Sequence, residues 1–124
     1  MRDVVKAMKA LSDETRLRIL NLLLERECCV CEVMQALGIS QSTASRGLGA
    51  LHDAGFLKLR RDGVWSFYSI DKEGISGYQP QLIEVVKEAL KNNKIAEEDR
   101  ERLRRAERVG PGYAARIRAD KSQT

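Results

Sequence analysis

The sequence predicts a mainly α-helical fold that closes in one small β-hairpin, and three features say so. Apolar residues recur at helical spacing over the segments up to Gly55, the period then switches to alternation on either side of Asp62-Gly63, and capping residues or glycines punctuate each change. With 124 residues the chain has room for one core and an extension. Its 43% apolar and 32% charged residues are a globular balance, away from disordered and membrane compositions.

Val4, Val5, Met8 and Leu11 mark a first short helix suited to lying against another surface. Ser12-Asp13 interrupts it, Asp13 is a good N-cap, and Leu17, Ile19, Leu20, Leu23 and Leu24 carry a second helix to about Glu25. A short third helix reads from about Cys29 to Leu37, with Gly38 where a left-handed cap costs least. Ile39 follows as a core plug. Ser40 caps a fourth helix with Ala44, Leu48 and Leu51 inward and Gly55 at its end. Leu57 and Leu59 then alternate with Lys58 and Arg60, the run Val64 to Ile70 is rich in strand formers, and Asp62-Gly63 between them is a hairpin signal. A last periodic helix, Gln81 to Leu90 with Pro80 near its start, offers Leu82, Val85, Val86 and Ala89 as an apolar face that needs a partner.

Net charge is +4, but its distribution says little about the front of the chain. From Asn93 onward there are 9 Lys and Arg against 6 Asp and Glu, which leaves 13 against 12 in residues 1–92. The tail has few large apolar residues, and pairs such as Glu98 with Arg102 and Glu101 with Arg105 suit a solvated helix. Residues 1–92 are therefore expected to form the working domain, and 93–124 a charged C-terminal extension, partly helical or disordered. The longest apolar stretches, such as Leu22-Leu23-Leu24, are far too short for a membrane span, and no export signal opens the chain, so the expected location is cytoplasmic with no membrane contact.

Two helices joined by a tight turn and followed by a hairpin form a winged helix-turn-helix. The first turns of the fourth helix carry Gln41, Ser42, Thr43, Ser45 and Arg46 after Ser40, short donors and acceptors with one guanidinium that suit a helix entering the major groove of double-stranded DNA. Arg60 and Arg61 near the hairpin tip could reach phosphate or the minor groove. Trp65, Phe67 and Tyr68 are expected to pack on the helices rather than stack on bases. One such module touches few base pairs, so a homodimer built through the first and last helices is expected.

All three cysteines, Cys28, Cys29 and Cys31, fall at the start of the third helix. The positive end of the helix dipole should lower their pKa and ready them as thiolates for soft ions such as As(III), Sb(III), cadmium, lead or copper(I). On an α-helix, residues two apart point about 200° from each other, so one ion bound by Cys29 and Cys31 should distort or unwind the first turn and disturb the neighbouring reading helix. Zinc is disfavoured, since His52 is the single histidine and reads as a solvated helix residue. No His and carboxylate constellation, phosphate loop or nucleophile motif suggests an enzyme.

Three stretches taken together resemble the ArsR (arsenic repressor) family of metal-responsive transcriptional repressors: Leu11-Ser12-Asp13-Glu14-Thr15-Arg16-Leu17-Arg18-Ile19-Leu20, Cys29-Val30-Cys31, and Ser40-Gln41-Ser42-Thr43-Ala44-Ser45-Arg46 leading to Leu48 and Ala54-Gly55. The likeness runs from about Met8 to Ile70. It implies an apo dimer that represses an arsenic-resistance operon and lets go when As(III) or Sb(III) binds the cysteines. Met34 stands where the arsenic-responsive pattern often has a third cysteine, so the third thiolate is left open among Cys28, an external thiol or none. Gly47 stands where the family commonly has histidine, and the histidine and carboxylate sites of zinc-sensing relatives are not visible in the last helix. The alternative readings are a thiol redox switch or a cadmium- or lead-responsive repressor on the same fold.

Overall fold

The computed structural model describes residues 1–73 and 77–109. In chain order these form α1 (Arg2–Leu11), α2 (Glu14–Glu25), β1 (Cys28–Cys29), α3 (Val30–Leu37), α4 (Gln41–Asp53), β2 (Leu57–Asp62), β3 (Trp65–Ile70), α5 (Gln79–Leu90) and α6 (Lys94–Arg105). The expected disorder of the extreme tail, with Gly110-Pro111-Gly112, lies outside the described residues.

The helix ends form where the capping chemistry expects them. Asp13 accepts the Arg16 N–H at 3.0 Å and Ser40 accepts the Thr43 N–H at 3.1 Å. The Arg16 guanidinium donates to the carbonyls of Ala10 and Lys9, satisfying the open end of α1 from the start of α2. Gly38 closes α3 at φ 65°.

Helix α2 is the centre of the domain and touches every other helix. Ile19, Leu20 and Leu22 meet Val33 and Ala36 of α3, Ala44, Leu48 and Leu51 of α4, and Phe56. Burying each large apolar side chain is worth about 1.5–3 kcal/mol. Gly47 is buried where α4 crosses α2, and a Cβ there would stand 2.5 Å from Ile19 Cδ1. The histidine that the resemblance suggests at this position would point into the packing of α4 on α2 and require the end of Ile19 to move.

β1, β3 and β2 make one antiparallel sheet in that order, with Cys28 opposite Tyr68 and Cys29 opposite Phe67. The third strand was not foreseen, because two residues are too few to show alternation. Asp62 pairs with Trp65, so the wing turns at Gly63-Val64, one residue later than Asp62-Gly63 suggests. Gly63 has φ 60° and Val64 does not have a positive φ, the type II′ pattern that matches strand twist.

Two expectations about the last helices need correction. In α5 the inward residues are Ile83 and Val86 with half-buried Leu82, while Val85 is 65% exposed and Ala89 is also exposed, so the packed face is rotated from the predicted one. The helix expected to be solvated, α6, instead packs on α2 and α3 and buries Ala96, Asp99 and Leu103. Arg102 pairs with Asp99 rather than Glu98, whereas Arg105 does approach Glu101 at 4.0 Å. Asp99 is 0% exposed and also holds Arg18 through both oxygens at 2.8 and 2.9 Å, which raises the Arg18 pKa. Nearby, Asn21 donates to the Ala96 carbonyl and accepts from Arg100. Among the described residues no helix is long and apolar enough to cross a membrane.

A buried carboxylate shared by two guanidiniums is an anchor that cannot be removed cheaply. Asp99→Ala should lower the unfolding free energy by about 2–3 kcal/mol, the range for hydrogen bonds to charged groups, read from equilibrium urea denaturation.

Candidate thiol site and nucleic-acid interface

The cysteine segment is extended before it is helical. Arg26 ends α2 with φ −170° and ψ 170°, and the chain then pairs with β3 through Cys28 and Cys29. Neighbours in a strand face opposite sides. Cys28 accordingly enters the main core, its thiol donating to the Arg26 carbonyl at 3.4 Å, while Cys29 and Cys31 form a separate cluster with Phe67, Trp65 and Val109.

Cys29 is the N-cap of α3, with φ −87° and ψ 168°, and only Cys31 lies within the helix. Because the first of the two is extended, both side chains lie in one buried cluster against Phe67. The expectation that they could not converge without unwinding the turn is therefore wrong: it treated both as helical.

The cap is reciprocal. The Cys29 N–H donates to Glu32 Oε1 at 3.0 Å, and the Cys29 side chain accepts from the Glu32 N–H. Glu32 is 2% exposed and meets Arg26 at 2.6 Å and Arg108 at 3.1 Å. Burial alone would raise its pKa, but the Cys29 N–H and these two guanidiniums together hold it below the usual carboxylate range. On the other flank, Glu27 receives Arg60 at 2.8 Å, which lowers the Glu27 pKa, and the Arg60 guanidinium lies 4.6 Å from the Phe67 ring centre. Trp65 stacks on the same ring at 5.9 Å.

Cys28 and Cys29 do not have the lowered pKa expected from the helix dipole. Burial pushes Cys28 up to about 12, and burial with Cys31 beside it pushes Cys29 up as well. Desolvation outweighs the dipole here. Among the described residues no group of three or more His, Cys, Asp and Glu side chains is placed to hold a metal ion. Two adjacent sulfurs are a donor set for thiophilic species, and Cys28 would have to turn out of the core to join them.

On α4, Gln41, Ser42, Ser45 and Arg46 are exposed on the first turns, whereas Thr43 is half-buried and accepts from Ser40, the cap. Arg61 is exposed on the wing, 3.4 Å from the Ser66 hydroxyl. Arg60, expected at a free tip, is drawn back to Glu27 and Phe67. His52 is partly exposed, beside Asp53 and edge-on to Tyr68. Sequence reasoning missed Arg26, Glu27, Glu32, Phe67 and Arg108 around the thiols. The spacing Cys29-Val30-Cys31-Glu32 held the one usable signal, since it matches a capping box with cysteine in place of serine.

The profile of the bacterial regulatory protein arsR family matches residues 13–58. A cadmium resistance transcriptional regulatory protein CadC homolog of Staphylococcus aureus is 43% identical over 83 residues, 66% of this chain and 65% of that protein, so the match spans under two thirds of the relative's length. An arsenic resistance transcriptional regulator of Pseudomonas putida is 40% identical over 82 residues, 65% of this chain and 70% of its own. Among solved structures, the homodimeric winged helix-turn-helix DNA-binding domain of a possible ArsR-family transcriptional regulator from Mycobacterium bovis superposes with TM-score 0.62 at 31% identity, covering 75% of this chain and 82% of that one.

A thiol whose pKa is raised on folding stabilises the fold fully below its unfolded pKa and loses that contribution as pH rises toward the folded value. For Cys28 the window opens near the ordinary value of 9.0 and runs toward about 12. Within it the unfolding free energy should fall by about 1.4 kcal/mol more per pH unit than in Cys28→Ala, measured by denaturant titration at successive alkaline pH values.

Proposed function

This chain belongs to the arsR family of bacterial regulatory proteins, and on that premise we propose that it is a homodimeric repressor whose grip on operator DNA is released when As(III) or Sb(III) binds Cys29 and Cys31. The family makes it a DNA-binding regulator rather than an enzyme. The observation that carries the ligand reading is the Cys29 and Cys31 pair, buried in one cluster at the start of α3, the helix that precedes the reading helix α4. The resistance relatives, one named for arsenic and one for cadmium, favour a thiophilic inducer.

The reading assigns Gln41, Ser42, Ser45 and Arg46 to the major groove, with Ser40 and Thr43 holding the helix start, and Arg61 to phosphate. Arg60 joins it if its pairing with Glu27 is exchanged for phosphate. The exposed apolar residues Val4, Val5 and Met8 of α1 and Val85 of α5 supply the surface for a second copy. The third sulfur is Cys28, an external thiol or none.

Release follows from the cap. When Cys29 Sγ turns to a shared atom it leaves the Glu32 N–H, and the start of α3 loses its reciprocal bond. Two elements feel the change. One is α4, through the turn at Gly38; the other is the wing, because Cys29 pairs with Phe67 on β3. The coupling thus has a path through the sheet as well as through the helix pair.

Fluorescence anisotropy on the promoter DNA upstream of its own gene tests the reading. Cys29→Ser and Cys31→Ser should hold DNA as wild type does and ignore arsenite, while Arg46→Ala should lose about 5- to 150-fold in affinity, the 1–3 kcal/mol of a base-reading contact. Full arsenite response in Cys29→Ser overturns the assignment, and release by peroxide alone would favour the redox reading.

The inducers separate by pH. Arsenous acid condenses with protonated thiols and expels water, with no net proton released, whereas a divalent cation must displace a proton from each protonated thiol. With the Cys29 pKa raised, cadmium affinity should climb about tenfold per pH unit for each such proton from pH 6 to 8, and arsenite affinity should stay level, measured by competition titration.

A further inference from the structure

Past Arg105, the last residue of α6, the chain does not turn away into solvent over residues 106–109. The Glu107 backbone is held at both ends by one α3 side chain: its N–H donates to Gln35 Oε1 at 3.0 Å and its carbonyl accepts from Gln35 Nε2 at 2.6 Å. Arg108 then turns inward. It donates to Glu32 at 3.1 Å and to the Glu27 carbonyl at 3.4 Å, and its guanidinium lies 4.8 Å from the Phe67 ring centre, where Arg60 is the second cation on that ring. Val109 packs on Cys29, Cys31, Phe67 and Trp65. Cys29 and Cys31 are left 3% and 5% exposed.

From this geometry we infer that residues 106–109 are a strap that shuts the Cys29 and Cys31 pair, with Arg108 as its clasp, so a thiol-seeking reagent reaches the sulfurs only when the strap lifts. The strap grips the two residues that flank the cysteines, Glu27 and Glu32, and also Gln35 one turn further along α3. Its hold is slighter than that of α6. Helix α6 buries Ala96, Asp99 and Leu103, whereas Glu107 and Arg108 are exposed and Ala106 and Val109 only half-buried. The strap can therefore open while α6 stays docked. An opening cost of this kind multiplies the apparent dissociation constant by the inverse of the open fraction, so the strap sets how much ligand is needed and how fast it enters. Access to the thiols stands on the geometry alone; the consequence for an inducer rests on the function proposed above.

The test uses the full chain as Arg108→Ala and as the double variant Gln35→Ala, Arg108→Ala. Iodoacetamide labelling at fixed pH, with each cysteine resolved by fragment mass spectrometry, should show Cys29 and Cys31 reacting roughly tenfold faster, with Cys28 unchanged as an internal control in the main core. Unchanged rates at Cys29 and Cys31 overturn the strap, and equal acceleration at Cys28 does too, since it means the whole fold has loosened. Arsenite association, followed through the single tryptophan, Trp65, beside the pair, should quicken in the same variants, and apparent affinity should tighten. Faster labelling with an unaltered arsenite rate overturns gating of the inducer. Faster labelling with no arsenite binding in any form leaves the strap standing and removes the metalloid reading.

Discussion

A carboxylate taken almost wholly out of water must be fully partnered or give up its charge, and Glu32 is partnered three ways. Its oxygens meet the N–H of Cys29, the guanidinium of Arg26 at the end of α2, and that of Arg108 beyond α6. One side chain thus ties the start of α3 to two segments remote in sequence. The thiols owe their position to it, since Cys29 is extended and adjacent to Cys31 only while it serves as the cap. Anything that pulls on Cys29 pulls on this junction.

The sheet gives the same segment a second attachment. With β1 paired to β3, and Arg60 of β2 reaching Glu27, the wing and the cysteines belong to one structure rather than to neighbouring ones. Phe67 is the shared surface: it lies opposite Cys29 in the ladder, stacks with Trp65 and carries a guanidinium from each of Arg60 and Arg108. The thiols and the wing therefore rest on one common side chain.

Much of this fold can be read from residue order because the signals are local. Asp13, Ser40 and Gly38 each act on the backbone within four residues, and the stripes of α2 and α4 are long enough to declare a period. The misreadings concern what is not local. The inward face of α5 depends on which neighbour it meets, and α6 looked solvated because its anchor, Asp99, is acidic and its partner Arg18 lies 81 residues away. At the site, the cysteines and the exposed side chains of α4 were visible in the sequence. The thiol pKa shift was not, because it depends on how deeply the segment is buried, and the convergence of Cys29 and Cys31 turned on a single residue being the cap and not the first turn.

Gly47 bears on how α4 sits on α2. With no side chain of its own there, α4 receives the tip of Ile19 against its backbone, and an added carbon would have to displace that terminal methyl. Interiors are packed at crystal-like density, so a displaced methyl must find room among other side chains. A bulkier residue at this crossing would register first in the central helix, not in solvent.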